Sequence, residues 1–269
     1  MSQPGQPVRI EQRGSTLWIE IDRQERRNAL NREVLDAIGD GIDVADADDA
    51  LRSVVLTGAG DRAFCAGADL AAGNSTFTSG VDETTTDFGR LARRLSTFGK
   101  PIIGRINGAC VAGGMSLLGI CDLVVASDHA RFGLPEVRVG VYPMQVLVYL
   151  RRTIAPIHFN ELSLLGDLID ARRALEMGLV NRVVPFDELD DAVTSLAARI
   201  EKGSPNVIRR GKYAMNAMES MSFEAALAFA ETQITVASRT PDAAEGIAAF
   251  NERRLPFWDT SERTARADD

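Results

Sequence analysis

Ser53-Val54-Val55-Leu56-Thr57-Gly58-Ala59-Gly60-Asp61-Arg62-Ala63-Phe64-Cys65-Ala66-Gly67-Ala68-Asp69-Leu70 is the stretch from which the fold is read. It opens as an apolar strand and passes at once into small, glycine-rich turns. Upstream, Leu17-Trp18-Ile19-Glu20-Ile21 reads as a second strand, and residues 31–47 between the two place Val34, Leu35, Ile38 and Ile42 at helical spacing. Strand, helix, strand is the signal of a parallel sheet in an α/β fold. Downstream the pattern returns, with a helix over 82–98, a strand over 101–106, a helix over 114–120 and a strand over 123–126. Residues 71–80, rich in Gly, Ser, Thr and Asn, read as a mobile loop.

From residue 186 onward the expected helices are 186–201, 205–218, 223–238 and 241–253. The chain divides accordingly into a core over 1–200 and a C-terminal helical segment over 201–269, whose tail 260–269 reads as frayed. No internal repeat is visible.

Composition narrows the function. The chain has 269 residues, 45% hydrophobic and 25% charged, enough for one large core. With 30 basic and 38 acidic residues it carries a net charge of -8, so no general field favours nucleic acid. The small and apolar run from 109 to 121 is too short to span a membrane, and residues 1–8 do not read as a secretory leader. Cys65, Cys110 and Cys121 make an odd count without a CxxC pair, which points to reduced thiols and a cytoplasmic location. Neither a metal nor a nucleotide triphosphate is indicated, because HExxH, Walker and clustered Cys/His motifs are missing from the sequence.

Two familiar motifs are approached and set aside. Gly58-Ala59-Gly60-Asp61-Arg62-Ala63 fits a loose dinucleotide pattern, but no amphipathic helix starts after it. Gly114-Met115-Ser116-Leu117-Leu118 lacks the last glycine of a nucleophile elbow, and His129 and His158 read as packed or surface imidazoles. Two turns remain: Phe64 to Leu70, and Asn107-Gly108-Ala109-Cys110-Val111-Ala112-Gly113-Gly114-Met115-Ser116. Each follows an apolar run, and small residues let backbone N–H groups approach a substrate oxygen closely. Ala66 and Gly113 are the expected donors of an oxyanion hole, each worth about 3–4 kcal/mol to a transition state. Tight helix–strand packing around Gly67, Gly113 and Gly114 is the competing structural explanation.

In these turns and in other ordered motifs the chain resembles the crotonase (enoyl-CoA hydratase/isomerase) superfamily. The others are Arg27-Asn28-Ala29-Leu30, Cys121-Asp122, Phe132-Gly133-Leu134-Pro135-Glu136, Gly178-Leu179-Val180-Asn181 and Phe250-Asn251-Glu252-Arg253-Arg254. The resemblance implies a ββα spiral core, C-terminal helices that form a homotrimer or a dimer of trimers, and an acyl-CoA substrate. Coenzyme A enters as part of that thioester, with no prosthetic group. By the same resemblance, Ala66 and Gly113 hold the thioester oxygen, and Arg27 lies along the pantetheine or phosphates. The backbone of Ala68, Asp69 and Leu70 lies near the adenine, while Phe250 and Arg253 complete the CoA site, often across a subunit boundary.

One departure decides the expected chemistry. Hydratases of the family hold a water between two glutamates; here the first position is Ser116 and the second is Glu136. A serine cannot carry that charge near neutral pH, and a lost acid or base costs roughly 10²–10⁴-fold. Shifting a double bond from C3 to C2 needs one carboxylate, so Δ3,Δ2-enoyl-CoA isomerisation by Glu136 is favoured, with hydration next. A non-catalytic acyl-CoA-binding protein is the reading from a different class. Thioesterase, decarboxylase and dehalogenase variants are compatible with the same scaffold. Gly140-Val141-Tyr142-Pro143-Met144-Gln145 also departs from the family pattern, and its bulky residues are expected to reshape the acyl pocket.

Overall fold

The computed structural model describes residues 6–71 and 85–259. The loop expected over 71–80, except Ala71, lies outside them, as do the first residues of the helix expected over 82–98 and the tail 260–269. Its centre is a six-stranded sheet in the order β1 (Val8–Arg13), β2 (Thr16–Ile21), β3 (Ser53–Gly58), β5 (Ile102–Ile106), β7 (Leu123–Ser127), β10 (Arg182–Val184). All neighbours are parallel except β1 and β2.

Alternation along these strands feeds two cores. Leu17, Ile19 and Ile21 of β2 and Val54 and Leu56 of β3 join one cluster, which α1 (Arg32–Ala47) and α2 (Asp87–Ser96) cover with Val34, Leu35, Ile38, Leu91 and Leu95. The alternate residues Trp18, Val55, Ile103 and Val125 meet α7 (Leu189–Glu201) through Leu189, Val193 and Leu196. Each fully buried side chain of this kind stabilises the fold by about 1.5–3 kcal/mol relative to exposure. Asn31 starts α1 by accepting the Val34 amide at 3.0 Å, which places the N-terminus of that helix one residue later than the sequence suggests.

A second, narrow sheet positions the site. Its strands are β4 (Ala63–Cys65), β6 (Ala109–Val111), β8 (Arg131–Gly133) and β9 (Leu168–Asp170), with β4, β6 and β8 parallel. β3 leads to β4, β5 to β6 and β7 to β8, each pair followed by a helix: α2, α3 (Gly113–Ile120) and α4 (Met144–Thr153). The chain therefore carries a threefold ββα repeat of geometry that has no counterpart in its letters. The register Cys65↔Cys110↔Phe132 brings the ends of the three short strands side by side.

Beyond the repeat come α5 (Pro156–Leu165), α6 (Ala171–Glu176), α8 (Pro205–Met218), α9 (Phe223–Ala237) and α10 (Pro241–Glu252). Helices α8 and α9 contain no fully buried residue. Helix α8 is tethered instead by polar side chains, including Lys212, whose Nζ donates to Asp122 and to the Lys100 carbonyl, both at 2.7 Å, and α9 meets α8 through the rings of Phe229 and Tyr213. Asp122 also accepts the Ile102 amide, so this motif residue is a structural tie.

Candidate functional site

The three parallel strands β4, β6 and β8 each release one turn, and the three turns share a cavity of about 980 Å³. The first turn supplies Ala66, Ala68 and Leu70, the second Ala112, Gly113 and Ser116, and the third Pro135 and Glu136. These sequence-chosen residues, separated by tens of positions, meet because their strands are neighbours.

The turns are fixed by steric necessity. A Cβ on Gly114 would lie 2.4 Å from the Cys65 carbonyl oxygen, and one on Gly67 would lie 2.7 Å from the Ala112 methyl. Gly67 also has φ of +90°, and Ala112 adopts φ of +50° although it is not glycine. Ala112 donates its amide to Gly133 at 3.0 Å, which joins the second turn to the third and opens α3 at Gly113. The packing expected around Gly67 and Gly114 is thus real, and it is what brings the amides into place.

One expected donor must be moved. The Ala66 amide donates to the Arg27 carbonyl at 3.1 Å and is not available to a ligand. Two residues on, Leu30 and Ala68 form a parallel bridge in which Leu30 makes both bonds, donating to Gly67 at 2.7 Å and accepting from Asp69 at 2.8 Å. In a parallel ladder the residue opposite such a partner directs its own amide to the other side. The Ala68 amide has no acceptor among the described residues, and its nitrogen lies 3.5 Å from where a Cβ on Gly113 would stand. The available pair is therefore Ala68 and Gly113, the latter at the N-terminus of α3, where the helix dipole favours negative charge. The in-and-out alternation of this bridge, which residue type alone does not show, is what separates Ala68 from Ala66.

Glu136 sits in a 3₁₀ turn, Pro135–Val139. Its Oε2 is buried without a hydrogen-bond partner, and burial raises the carboxyl pKa against a smaller opposing effect of its own backbone amide. Arg138, two residues along the chain, pairs with Asp167. An uncompensated carboxylate in an apolar hollow is a stronger base than a solvated one. Ser116, only 1% exposed, also lines the cavity, and its hydroxyl has no partner among the described residues. Tyr142 lines it too and shares a hydrogen bond of 2.9 Å with the buried Ser163 hydroxyl.

The residues expected at the CoA end are distributed differently. Arg27 is exposed in a left-handed conformation, with its backbone tied to Ala66, but it does not line the cavity. Asp69 accepts from Arg23 at 2.9 Å, and Leu70 is exposed at the cavity rim. Phe250 and Arg253 lie on or at the end of α10 and take no part in lining this cavity. Asn28, beside Arg27, is structural: its amide donates to the Ala59 and Ala63 carbonyls at 3.1 and 2.7 Å.

Other motifs resolve into packing. The Gly58–Gly60 turn leads into strand β4, not a helix. His129 uses both ring nitrogens, on the Ser127 hydroxyl at 2.7 Å and the Asp61 carbonyl at 2.8 Å. Burial pushes the Cys65 thiol up to about 12 and raises Cys110 and Cys121 as well, so all three are poor nucleophiles.

Known proteins share this arrangement. The family model described as Enoyl-CoA hydratase/isomerase matches residues 11–261. The chain is 33% identical to the 2,3-dehydroadipyl-CoA hydratase of Escherichia coli over 89% of its own length and 93% of that protein's. Against the carnitinyl-CoA dehydratase of Proteus mirabilis the identity is 32%, over 94% and 98%. The crystal structure of enoyl-CoA hydratase from Mycobacterium tuberculosis superposes with a TM-score of 0.83 at 33% identity, over 93% of this chain and 98% of that one.

Proposed function

We propose that this chain, which belongs to the enoyl-CoA hydratase/isomerase family, moves the double bond of a 3-enoyl-CoA thioester to C2, using Glu136 as its one acid–base group. The carrying observation is the buried, unpartnered Glu136 Oε2 in a cavity where the other wall residue at the expected acid position is Ser116. The Glu136 carboxylate removes a proton from C2, and the electron pair moves into the thioester carbonyl. The resulting dienolate oxygen accepts from the Ala68 and Gly113 amides. The same carboxyl group returns the proton at C4 while the double bond settles between C2 and C3.

A hydratase reading has its own support, since the relatives and the solved structure above carry hydratase or dehydratase names. Incubation with 3-enoyl-CoA and 2-enoyl-CoA in heavy water separates the two. Isomerisation is expected, with deuterium entering at C4 to the extent that the carboxyl proton exchanges with solvent before it is returned; rapid hydration without isomerisation would overturn the preference. Thermal stabilisation by CoA thioesters with no turnover of either would instead make the chain a binding protein.

The exposed Arg27 supports a place beside the CoA pantetheine or phosphates. Residues 201–269 serve as the oligomerisation segment, giving a trimer or a dimer of trimers. Phe223, Ile234 and Phe250 on α9 and α10 are 77%, 68% and 84% exposed, an apolar face that a second copy would cover. Phe250 and Arg253 would then reach a neighbouring subunit's CoA. Ile234→Asp should lower the molar mass measured by light scattering towards that of one chain. The three free cysteines favour a reducing, cytoplasmic setting.

A further inference from the structure

A second cavity, of about 230 Å³, shares no lining residue with the first. Arg52 reaches it just before β3 begins, Gly99 and Lys100 just before β5, and Asn206 and Arg209 from the start of α8. Asp49 is the one acid among its described lining residues, so the wall carries three cations and a single carboxylate in a chain whose net charge is -8. Asp49 offsets little: its side chain is 99% exposed and 3.8 Å from Arg209.

The cations are held in place yet keep donors to spare. Lys100, only 7% exposed, gives two of its three ammonium protons to the Ala45 and Asp48 carbonyls at 2.5 and 2.7 Å. Arg52 gives one guanidinium nitrogen to the Glu201 and Gly203 carbonyls at 3.3 and 2.6 Å, and forms no ion pair with a carboxylate among the described residues. Arg209 runs along Gly99, where a Cβ would stand 2.5 Å from its Cγ, so the missing side chain is what lets this cation settle beside Lys100. Burial, and then the charge of Arg209, hold the Lys100 ammonium below the usual lysine range against the opposite pull of Asp49, Asp46 and Asp48. At the start of α8, Ser204 accepts the Val207 amide at 3.2 Å, while the Asn206 amide has no acceptor among the described residues. The nearby Asp242 is already engaged by the Ser204 and Asn206 side chains. Crowded cations with uncommitted donors are satisfied by a multiply charged oxyanion.

We propose that this cavity binds a phosphate group, which bridges Arg52, Lys100 and Arg209 and locks α8 against the edge of the sheet where β3 and β5 begin. Three cations and one carboxylate match the charge of a phosphate dianion. Helix α8 has no fully buried residue, so its docking depends on polar contacts of this kind. The site is independent of the reaction in the first cavity.

Thermal melts of the full chain in 10 mM inorganic phosphate, against potassium chloride of equal ionic strength, test the site. Phosphate should raise the melting temperature by about 3 °C and slow hydrogen exchange at residues 206–209. A parallel series in glycerol 3-phosphate distinguishes the free ion from an ester; a response to either supports a phosphate site. Arg209→Gln should abolish the response, whereas Arg172→Gln, an 88% exposed position on α6, should keep it. No gain over chloride from either probe, or a gain that survives Arg209→Gln, overturns the proposal. No acyl-CoA enters this test, so its failure leaves the proposed reaction untouched.

Discussion

The two walls of the cavity are built by different means. On one, Ala68 and Gly113 offer backbone amides locked by Gly67, Gly114 and the left-handed Ala112, where added side-chain atoms would collide with main chain or methyl groups. On the other, Glu136 at the third turn leaves its buried Oε2 without a hydrogen-bond partner. The first wall is over-determined and the second under-satisfied. Rigid donors lower the cost of reorganisation as charge develops, whereas an unpaired acid is left ready to react.

Removing the acid should have the largest effect. Glu136→Gln is expected to lower turnover by about 10²–10⁴-fold while CoA-thioester binding persists, as steady-state kinetics and calorimetry would show. Retained activity would mean that another group is the base. Disturbing the rigid wall comes next: Gly114→Ala forces its methyl onto the Cys65 carbonyl and should cost about 10²–10³-fold in kcat. Circular dichroism would separate a displaced donor from a lost fold.

A smaller effect concerns pH. Burial holds the Glu136 carboxyl above the usual carboxylate range, so kcat/KM should rise with pH through that raised value as the base form appears. Stability has the opposite sign. Between the ordinary carboxylate pKa and the raised one, the folded chain keeps a proton that the unfolded chain releases, so stability falls as pH rises through that window. Glu136→Gln should therefore melt higher than the parent at pH 7, with the gap closing below about pH 4. An unchanged gap across this range would show that the carboxyl is not strained by burial. Least affected should be Tyr142→Phe, which loses one shared hydrogen bond to Ser163 and about 1 kcal/mol in a denaturant melt.

Long elements were legible in the letters because their periodicity is strong. The helix α8 matches its expected bounds, and β3 and β5 differ from theirs by one residue at one end. Strand β1 escaped notice because its residues after Val8 face largely outward and break the apolar run. Three-residue strands such as β4, β6 and β8 are too short to show alternation, so they read as turns and the repeated ββα geometry stayed hidden. Helices α4, α5 and α6 over 144–176 were also left unassigned. Around the cavity, residue type alone singled out Glu136, Ser116 and both turns, which the structure brings together. The step from Ala66 to Ala68 depended on which way an amide points, and that is set by hydrogen bonding across the bridge to Leu30.

The lateral pairing of β4 with β6 has an evolutionary corollary. The closeness of the two amides comes from the main-chain packing of the turns that leave these strands, with the Ala68 nitrogen 3.5 Å from where a Cβ on Gly113 would stand. No single change of letter at Ala68 or Gly113, short of proline, deletes either N–H. Side chains at 116 and 136 can therefore be exchanged while these backbone donors are kept, so a change of chemistry at the cavity need not begin with their loss. A library varied at Ser116, Glu136, Tyr142 and Met144 changes the side chains that line the cavity while leaving its backbone frame in place.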